Sequence, residues 1–427
     1  MKTLWIVNMV FPAVAQKLGL KTSVSGGWLL DLAKGVAKNE EIELGVMTYY
    51  AGKEFIDIVH EGVRYFLLPG GGKRLLYNNK KTGEDCKKIV KLFNPDIIHI
   101  HGTEYAPGYE MLKVHSEIPT VLTIQGVIHR IADEYYGGFS TWEIIKMSKM
   151  KDILKGKIPL TYKMLYTKNA KRENEVLKKV KYVTGRTDWD KSTMLAINPS
   201  LTYFRCNYNL RDAFYSAPKW SVDTMTRHTI MTGAGHYSLK GLHIVIKALA
   251  IVKNKYPDVK LYIPGGGKVE NGRVVSASSY TKYIEKMISD LGLEENVEYV
   301  GDLKPEKVAE YLKNSHVCVV PSAMEGASAT LCEAMMVGTP SICAYRGGMT
   351  DLLTDKVNGF TYDFPEYPQL ALRIMEIFEN DDMAVDFSKK TIELANIRHN
   401  RERNPEDMVA VYKEVLANER SKKEITN

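Results

Sequence analysis

Glu325 and Glu333 stand at the two ends of the segment EGASATLCE, which lies between an apolar run at 317–321 and a stretch that closes on Gly338, Thr339 and Pro340. A β-branched run, a glycine, and then a helix-forming stretch read as strand, turn and helix. Such a turn aims unpaired backbone N–H groups and the positive end of a helix dipole at whatever lies above it, which suits a phosphate. Carboxylates accept strongly from sugar or ribose hydroxyls. The expected ligand is therefore a nucleotide sugar held at both ends, although a strand and helix with one surface glutamate and one capping glutamate satisfy the same spacing.

For these residues to act, other turns must open beside them. Short apolar runs alternate with helical periods in the βαβ manner of a parallel sheet. Strands are expected at 4–7, 42–48, 97–101, 120–124 and 182–184, and again at 229–232, 260–263, 297–299, 317–320 and 341–344. Between the two series, 207–226 reads as a hinge. The fold class is α/β, with two doubly wound Rossmann-like domains, 1–212 and 213–404, and a cleft between the carboxyl ends of their strands where ligands bind. A closing helix and tail, 405–427, carries Met408, Val411, Val415 and Leu416 on one face and is expected across the hinge. In the second half, Gly233 to Gly241 follows a strand and precedes a helix, so Lys240 projects toward a diphosphate from a glycine-bounded turn that also holds Gly235. Gly265 and Leu303 follow two further strands. In the first half, Gly26 and Gly27 open a helix where a ligand approaches the backbone closely.

Composition excludes several classes. With 427 residues, 44% hydrophobic and 26% charged, the chain is ordinary globular material long enough for two domains. Its five cysteines are scattered without CxxC spacing, which points to neither a disulfide framework nor zinc and fits a reducing cytoplasm. The apolar stretch 4–14 after Lys2 imitates a signal peptide, but Asn8 and Pro12 interrupt it, and a first β-strand is the preferred reading. Net charge is +7, and the segment 146–181 alone holds twelve basic residues against three acids. Interleaved with Met147, Ile153, Leu154, Leu160, Tyr162, Leu165 and Tyr166, that pattern suits either a solvated helical face or peripheral contact with an anionic membrane. No nucleic-acid motif accompanies the charge.

Taken together, Asn94-Pro95-Asp96-Ile97-Ile98-His99-Ile100-His101-Gly102, the Lys240-Gly241 loop, Leu261-Tyr262-Ile263-Pro264-Gly265, 296–301, EGASATLCEAMMVGTP and GGMTDLLTDKVNGF resemble glycosyltransferase family 4, retaining enzymes of GT-B fold. The resemblance covers nearly the whole chain and is strongest over 233–360. It implies transfer of a sugar from a nucleotide donor, UDP favoured, to a glycan or lipid-linked glycan acceptor, with retention at the anomeric carbon and neither cofactor nor metal. It further implies that Lys240 contacts the donor diphosphate, Glu325 lies near the transferred sugar, Glu333 holds the ribose, the amides of Gly326, Ala327 and Ser328 meet sugar hydroxyls, and the Gly26-Gly27 turn approaches the phosphates. Surface polysaccharide assembly at the inner membrane face is the expected setting.

Two departures stand out. Relatives carry an arginine shortly before the lysine, where this chain has Ala234, Gly235 and His236; Arg186 is expected to supply that cation. Relatives also carry a histidine where this chain has Gln125, which hydrogen-bonds but cannot transfer a proton. That leaves His101, His129 or the leaving phosphate to assist, and His101 reads equally as a buried structural histidine. Asp188-Trp189-Asp190 has the spelling of a metal-binding DxD but reads as a helix cap. The same fold also serves epimerases, phosphorylases and non-catalytic nucleotide-sugar sensors.

Overall fold

The computed structural model describes residues 1–20, 27–71, 75, 80–148, 153, 158–233, 235, 237–265, 269–270, 272–274 and 278–426. Gly26, Ala234 and His236, along with 149–152 and 154–157 of the basic segment, lie outside the described residues. Contacts divide the chain into a first unit, Met1–Ile128 with Asn169–Leu210 and Arg398–Asn427, and a second unit, His129–Lys168 with Arg211–Ile397.

Among the described residues the first unit is built on eight strands: β1 (Lys2–Ile6), β2 (Glu43–Tyr50), β3 (Ile56–His60), β4 (Val63–Pro69), β5 (Ile97–His101), β6 (Thr120–Thr123), β7 (Tyr182–Gly185) and β8 (Thr202–Arg205). Their order is β3-β4-β2-β1-β5-β6-β7-β8. In this sheet β3 and β4 pair antiparallel, and the other described pairs are parallel. Side-chain alternation gives the sheet two buried faces. On β1 and just past its end, Trp5 and Val7 enter one apolar cluster with Leu44, Tyr65 and Ile97, whereas Leu4 and Ile6 enter another with Phe66, Ile98 and Ile100. The first face is closed by the helices Gly27–Ala37 and Arg403–Thr426, the latter through Met408, Val411, Tyr412 and Val415. Tyr412 also anchors polar groups inside that face. Its hydroxyl accepts from Trp5 Nε1 at 2.9 Å and meets His99 Nδ1 at 2.6 Å, while His99 Nε2 meets Thr123 Oγ1 at 2.6 Å.

The second unit holds β9 (Thr226–Thr232), β10 (Lys260–Pro264), β13 (Val297–Gly301), β14 (Ser315–Val320), β15 (Ser341–Ala344) and β16 (Phe360–Tyr362) in one parallel sheet ordered β13-β10-β9-β14-β15-β16. The short hairpin of β11 (Val269–Glu270) and β12 (Arg273–Val274) stands apart from it.

This division differs from the contiguous split at 212/213 expected from sequence. Residues 129–168, expected in the first domain, belong to the second unit because their aromatic rings pack there. Phe139 lies 4.4 Å from His243 and 5.4 Å from Tyr283 between ring centroids, and Tyr135 stacks on Tyr237. Residues 398–427 belong to the first unit because the closing helix completes its core.

Candidate functional site

Parallel strands deliver all their carboxyl-end loops to one edge of the sheet. In the second unit that edge collects the turn after β9 with Gly235 and Lys240, Gly265 after β10, Leu303 after β13, the Ser322 to Ser328 turn after β14, and Gly347 after β15. Lys240 ends a 3-10 turn, Ser238–Lys240, that is fixed from several sides. Gly241 follows it at φ 75°, where a Cβ would sit 2.1 Å from the carbonyl oxygen of Pro321. The Ala323 N–H donates to the Leu239 carbonyl at 2.8 Å, and Ser238 Oγ donates to the Tyr135 carbonyl at 3.2 Å.

The Lys240 ammonium bonds Glu325 Oε1. Burial alone would lower the lysine, but the carboxylate beside it and the Tyr237 ring outweigh burial and hold it above its ordinary range, so it stays charged. Ser322 Oγ donates to the same Glu325 Oε1 at 2.9 Å. The Gly348 N–H holds the Glu325 carbonyl at 2.9 Å, and a Cβ on Gly347 would strike that oxygen at 2.0 Å.

Ser328 caps the helix Ala329–Val337 by accepting from the Leu331 N–H, which leaves the turn of Gly326 and Ala327 at the helix N-terminus. Inside that helix, Glu333 accepts from Arg211 Nη2 at 2.6 Å and from Nε at 3.1 Å, both on Oε1. Burial pushes the Glu333 carboxyl up while Arg211 opposes the rise. The two acids read from the sequence thus share one arrangement. Each is steadied by a cation through Oε1, and each keeps Oε2 without a hydrogen bond among the described residues. The Arg211 partnership was not expected from sequence. A lone arginine in a linker carries no local signal, and only the fold brings it to a residue 122 positions away.

In the first unit the carboxyl-end loops hold Gly27 after β1, His101 closing β5, Gln125 after β6 and Arg186 after β7. His101 is buried against Trp5, with centroids 4.4 Å apart, and against His99 at 3.8 Å. Among the described residues neither of its ring nitrogens has a hydrogen-bond partner. Burial, with His99 adding to it, holds its pKa well below the ordinary value, so it is a neutral imidazole. Arg186, expected as a diphosphate cation, is 8% exposed and turned to its own unit. Its Nη2 donates to the Gln125 carbonyl at 2.8 Å and its guanidinium lies 4.9 Å over the Tyr208 ring. Here it is a strut beneath the Gln125 turn. The Asp188-Trp189-Asp190 triplet opens a helix whose cap is Thr187, accepting from the Asp190 N–H at 3.0 Å, and Asp190 reaches back to the Arg186 N–H at 2.9 Å. Among the described residues no group of three or more His, Cys, Asp or Glu is placed to hold a metal ion, and no helix is long and apolar enough to cross a membrane.

Residues 218–394 match the family described as Glycosyl transferases group 1. The chain is 23% identical over 180 residues to a D-inositol 3-phosphate glycosyltransferase of Corynebacterium urealyticum, a match covering 41% of this chain and 40% of that relative's length. Sucrose-phosphate synthase of Thermosynechococcus elongatus superposes over 98% of this chain and 99% of its own with a TM-score of 0.73 at 16% identity. HepE of Anabaena in complex with UDP-glucose superposes over 96% and 99% with a TM-score of 0.64, also at 16% identity. The fold is GT-B, with two Rossmann-like units each built on a largely parallel sheet.

Proposed function

We propose that this chain, carrying a glycosyltransferase group 1 domain, is a retaining glycosyltransferase that moves a sugar from a nucleotide donor to a glycan or lipid-linked glycan and needs no bound metal. The observation that carries the reading is the pair Glu325 and Glu333, one in the turn before the helix Ala329–Val337 and one within it, each tied through Oε1 to a cation. Such carboxylates suit hydroxyls of the sugar and ribose, and the helix N-terminus with Lys240 suits the diphosphate between them. UDP is the favoured nucleotide, in keeping with the UDP-glucose bound by HepE.

The demanding step breaks the bond between the anomeric carbon and the diphosphate. Negative charge grows on the leaving oxygen while the sugar becomes oxocarbenium-like, and preorganised positive charge on Lys240 and the backbone amides opposes it. Attack by the acceptor hydroxyl on the leaving-group side retains the configuration without a carboxylate nucleophile.

A thermal-shift panel of UDP, GDP and ADP sugars tests this reading, with a rise in melting temperature expected for the UDP series. Glu333→Ala should raise the donor Kd roughly 10-fold or more, the worth of a charged hydrogen bond. No shift with any nucleotide sugar removes the proposal.

A lipid-linked acceptor is supported by the segment 142–164 of the second unit, where Trp142, Ile145, Tyr162 and Met164 are exposed and Lys146 and Lys163 lie among them. Lysines with aromatic and aliphatic neighbours suit an anionic bilayer surface. The protein should co-sediment with vesicles containing phosphatidylglycerol and detach as salt is raised; equal recovery with purely zwitterionic vesicles would count against membrane contact.

A further inference from the structure

An arginine that neutralises a carboxylate frequently grips both of its oxygens, one with each of two parallel N–H groups. Arg211 does not. Its Nη2 and Nε both donate to Glu333 Oε1, at 2.6 and 3.1 Å, and Oε2 is left without a hydrogen bond among the described residues. The guanidinium also lies 5.0 Å over the ring of Phe214, a fully buried residue of the helix Asp212–Ser216 that begins just after Arg211. Both partners belong to the second unit.

The pair is graded in burial, with 25% of the Arg211 side chain exposed and 9% of the Glu333 side chain. A carboxyl so enclosed loses its charge unless a cation stands beside it. Burial is the larger influence on Glu333 and pushes it up, and Arg211 opposes it both by charge and by hydrogen bonding. Among the elements packed on the helix Ala329–Val337, β14 brings the Cys318 thiol and β15 the Cys343 thiol. Burial raises both, so both are neutral. Lys219 reaches the far end of the helix at the Met336 carbonyl, 2.6 Å away. The helices Asp212–Ser216 and Pro305–Asn314 pack there too, but burial and Arg211 set the Glu333 shift, not Asp212, Glu306, Lys307, Glu310 or Lys313.

We infer that Arg211 is the positioning residue of the donor ribose site: by taking Oε1 alone it fixes the Glu333 carboxylate and keeps Oε2 for a ribose hydroxyl. The role rests on the nucleotide-sugar reading of Glu333. Arg211 acts through that carboxylate, so its removal is felt by the ribose hydroxyls rather than by the whole nucleotide. Without the guanidinium, Glu333 keeps its charge only at higher pH, and ribose binding follows it.

Calorimetric titration with UDP and with its 2′,3′-dideoxy analogue separates these contributions. The wild type should prefer UDP by about 10-fold or more. Arg211→Met retains an apolar stem over Phe214. It should raise the Kd of UDP about 10-fold near pH 7 and change that of the dideoxy analogue by less than about 2-fold. Raising the pH should restore UDP affinity to the Met variant, and Arg211→Lys should keep the preference. Arg211→Gln replaces the Met variant should the latter fail to fold. A neutral variant that keeps the wild-type preference overturns the inference. So does one that loses affinity for both nucleotides equally, which marks a merely structural role. If the wild type binds neither nucleotide, the reading of a UDP donor falls. The ¹³C-carboxyl resonance of Glu333, assigned by its absence in Glu333→Gln, then tests Arg211 without any ligand. Its midpoint should lie higher in the neutral variant, and an equal midpoint overturns the inference.

Discussion

Turnover by the Lys240→Ala variant should fall about 10²- to 10³-fold, equivalent to about 2–4 kcal/mol of barrier, with little change in melting temperature. The size follows from where the ammonium is held. The Ser238–Lys240 turn is pinned by Gly241 in a left-handed conformation, by the Leu239 carbonyl and by the Tyr135 carbonyl, so the side chain is aimed before substrate arrives. Glu325 beside it keeps the lysine charged through the working pH range. Its charge therefore costs no reorganisation when the leaving oxygen becomes negative. The stability effect is small because the Lys240 and Glu325 side chains retain 27% and 16% exposure, and a partly solvated pair contributes about 1 kcal/mol or less. If Lys240 served only to bind donor, KM would rise at constant kcat. Near wild-type turnover would remove it from the mechanism.

That the lysine and the two glutamates lie on loops of one sheet edge was legible because strand-turn-helix spacing is local. Every strand expected from an apolar run appears, including β14 before Glu325 and β9 before Lys240. The β3 and β4 pair was missed although its signal is present: Glu61 and Gly62 both take positive φ in a two-residue turn between alternating apolar positions. The edge strand β16 is only three residues long and carries little pattern. What sequence could not give is long-range. Residues 129–168 read as part of the first half, yet Tyr135 and Phe139 find their ring partners among Tyr237, His243 and Tyr283. Arg186 looked like a free cation after a strand, but its Nη2 is taken up by the carbonyls of Ile124 and Gln125. Arg211 gained its importance only when the fold brought Glu333 to it.

Acidification should unfold the first unit before the second. Histidines buried neutral are charged when the chain unfolds, because burial lowers His99 and His243 to about 3 and His316 and His399 to about 4, with His101 also depressed. Below the unfolded value of about 6.5 the unfolded chain binds the extra protons, so each such group withdraws about 1.4 kcal/mol of stability per pH unit until its folded pKa is reached; above 6.5 it withdraws nothing. Buried carboxyls act oppositely. Glu104 and Glu333 are raised in the folded state, so falling pH relieves their cost until the unfolded carboxylate range near 4.3. The first unit sets three such histidines, His99, His101 and His399, against Glu104. The second sets two, His243 and His316, against Glu333. Toward pH 5 the balance is about two protons, or about 3 kcal/mol per pH unit, for the first unit, while the second has one such histidine fewer and a raised Glu333 that relieves part of its loss. Domain stabilities are typically about 5–15 kcal/mol, so the first unit approaches its limit near pH 5. Urea titrations at pH 7.5, 6.5 and 5.5 should show one transition separating into two as pH falls, with Trp5 emission reporting the earlier. Tyr412→Phe, which removes the hydroxyl that meets His99, should bring that earlier transition to lower urea. A midpoint unchanged across this range would mean that His99 and His101 reach solvent protons in the folded protein, contrary to their packing beneath the closing helix.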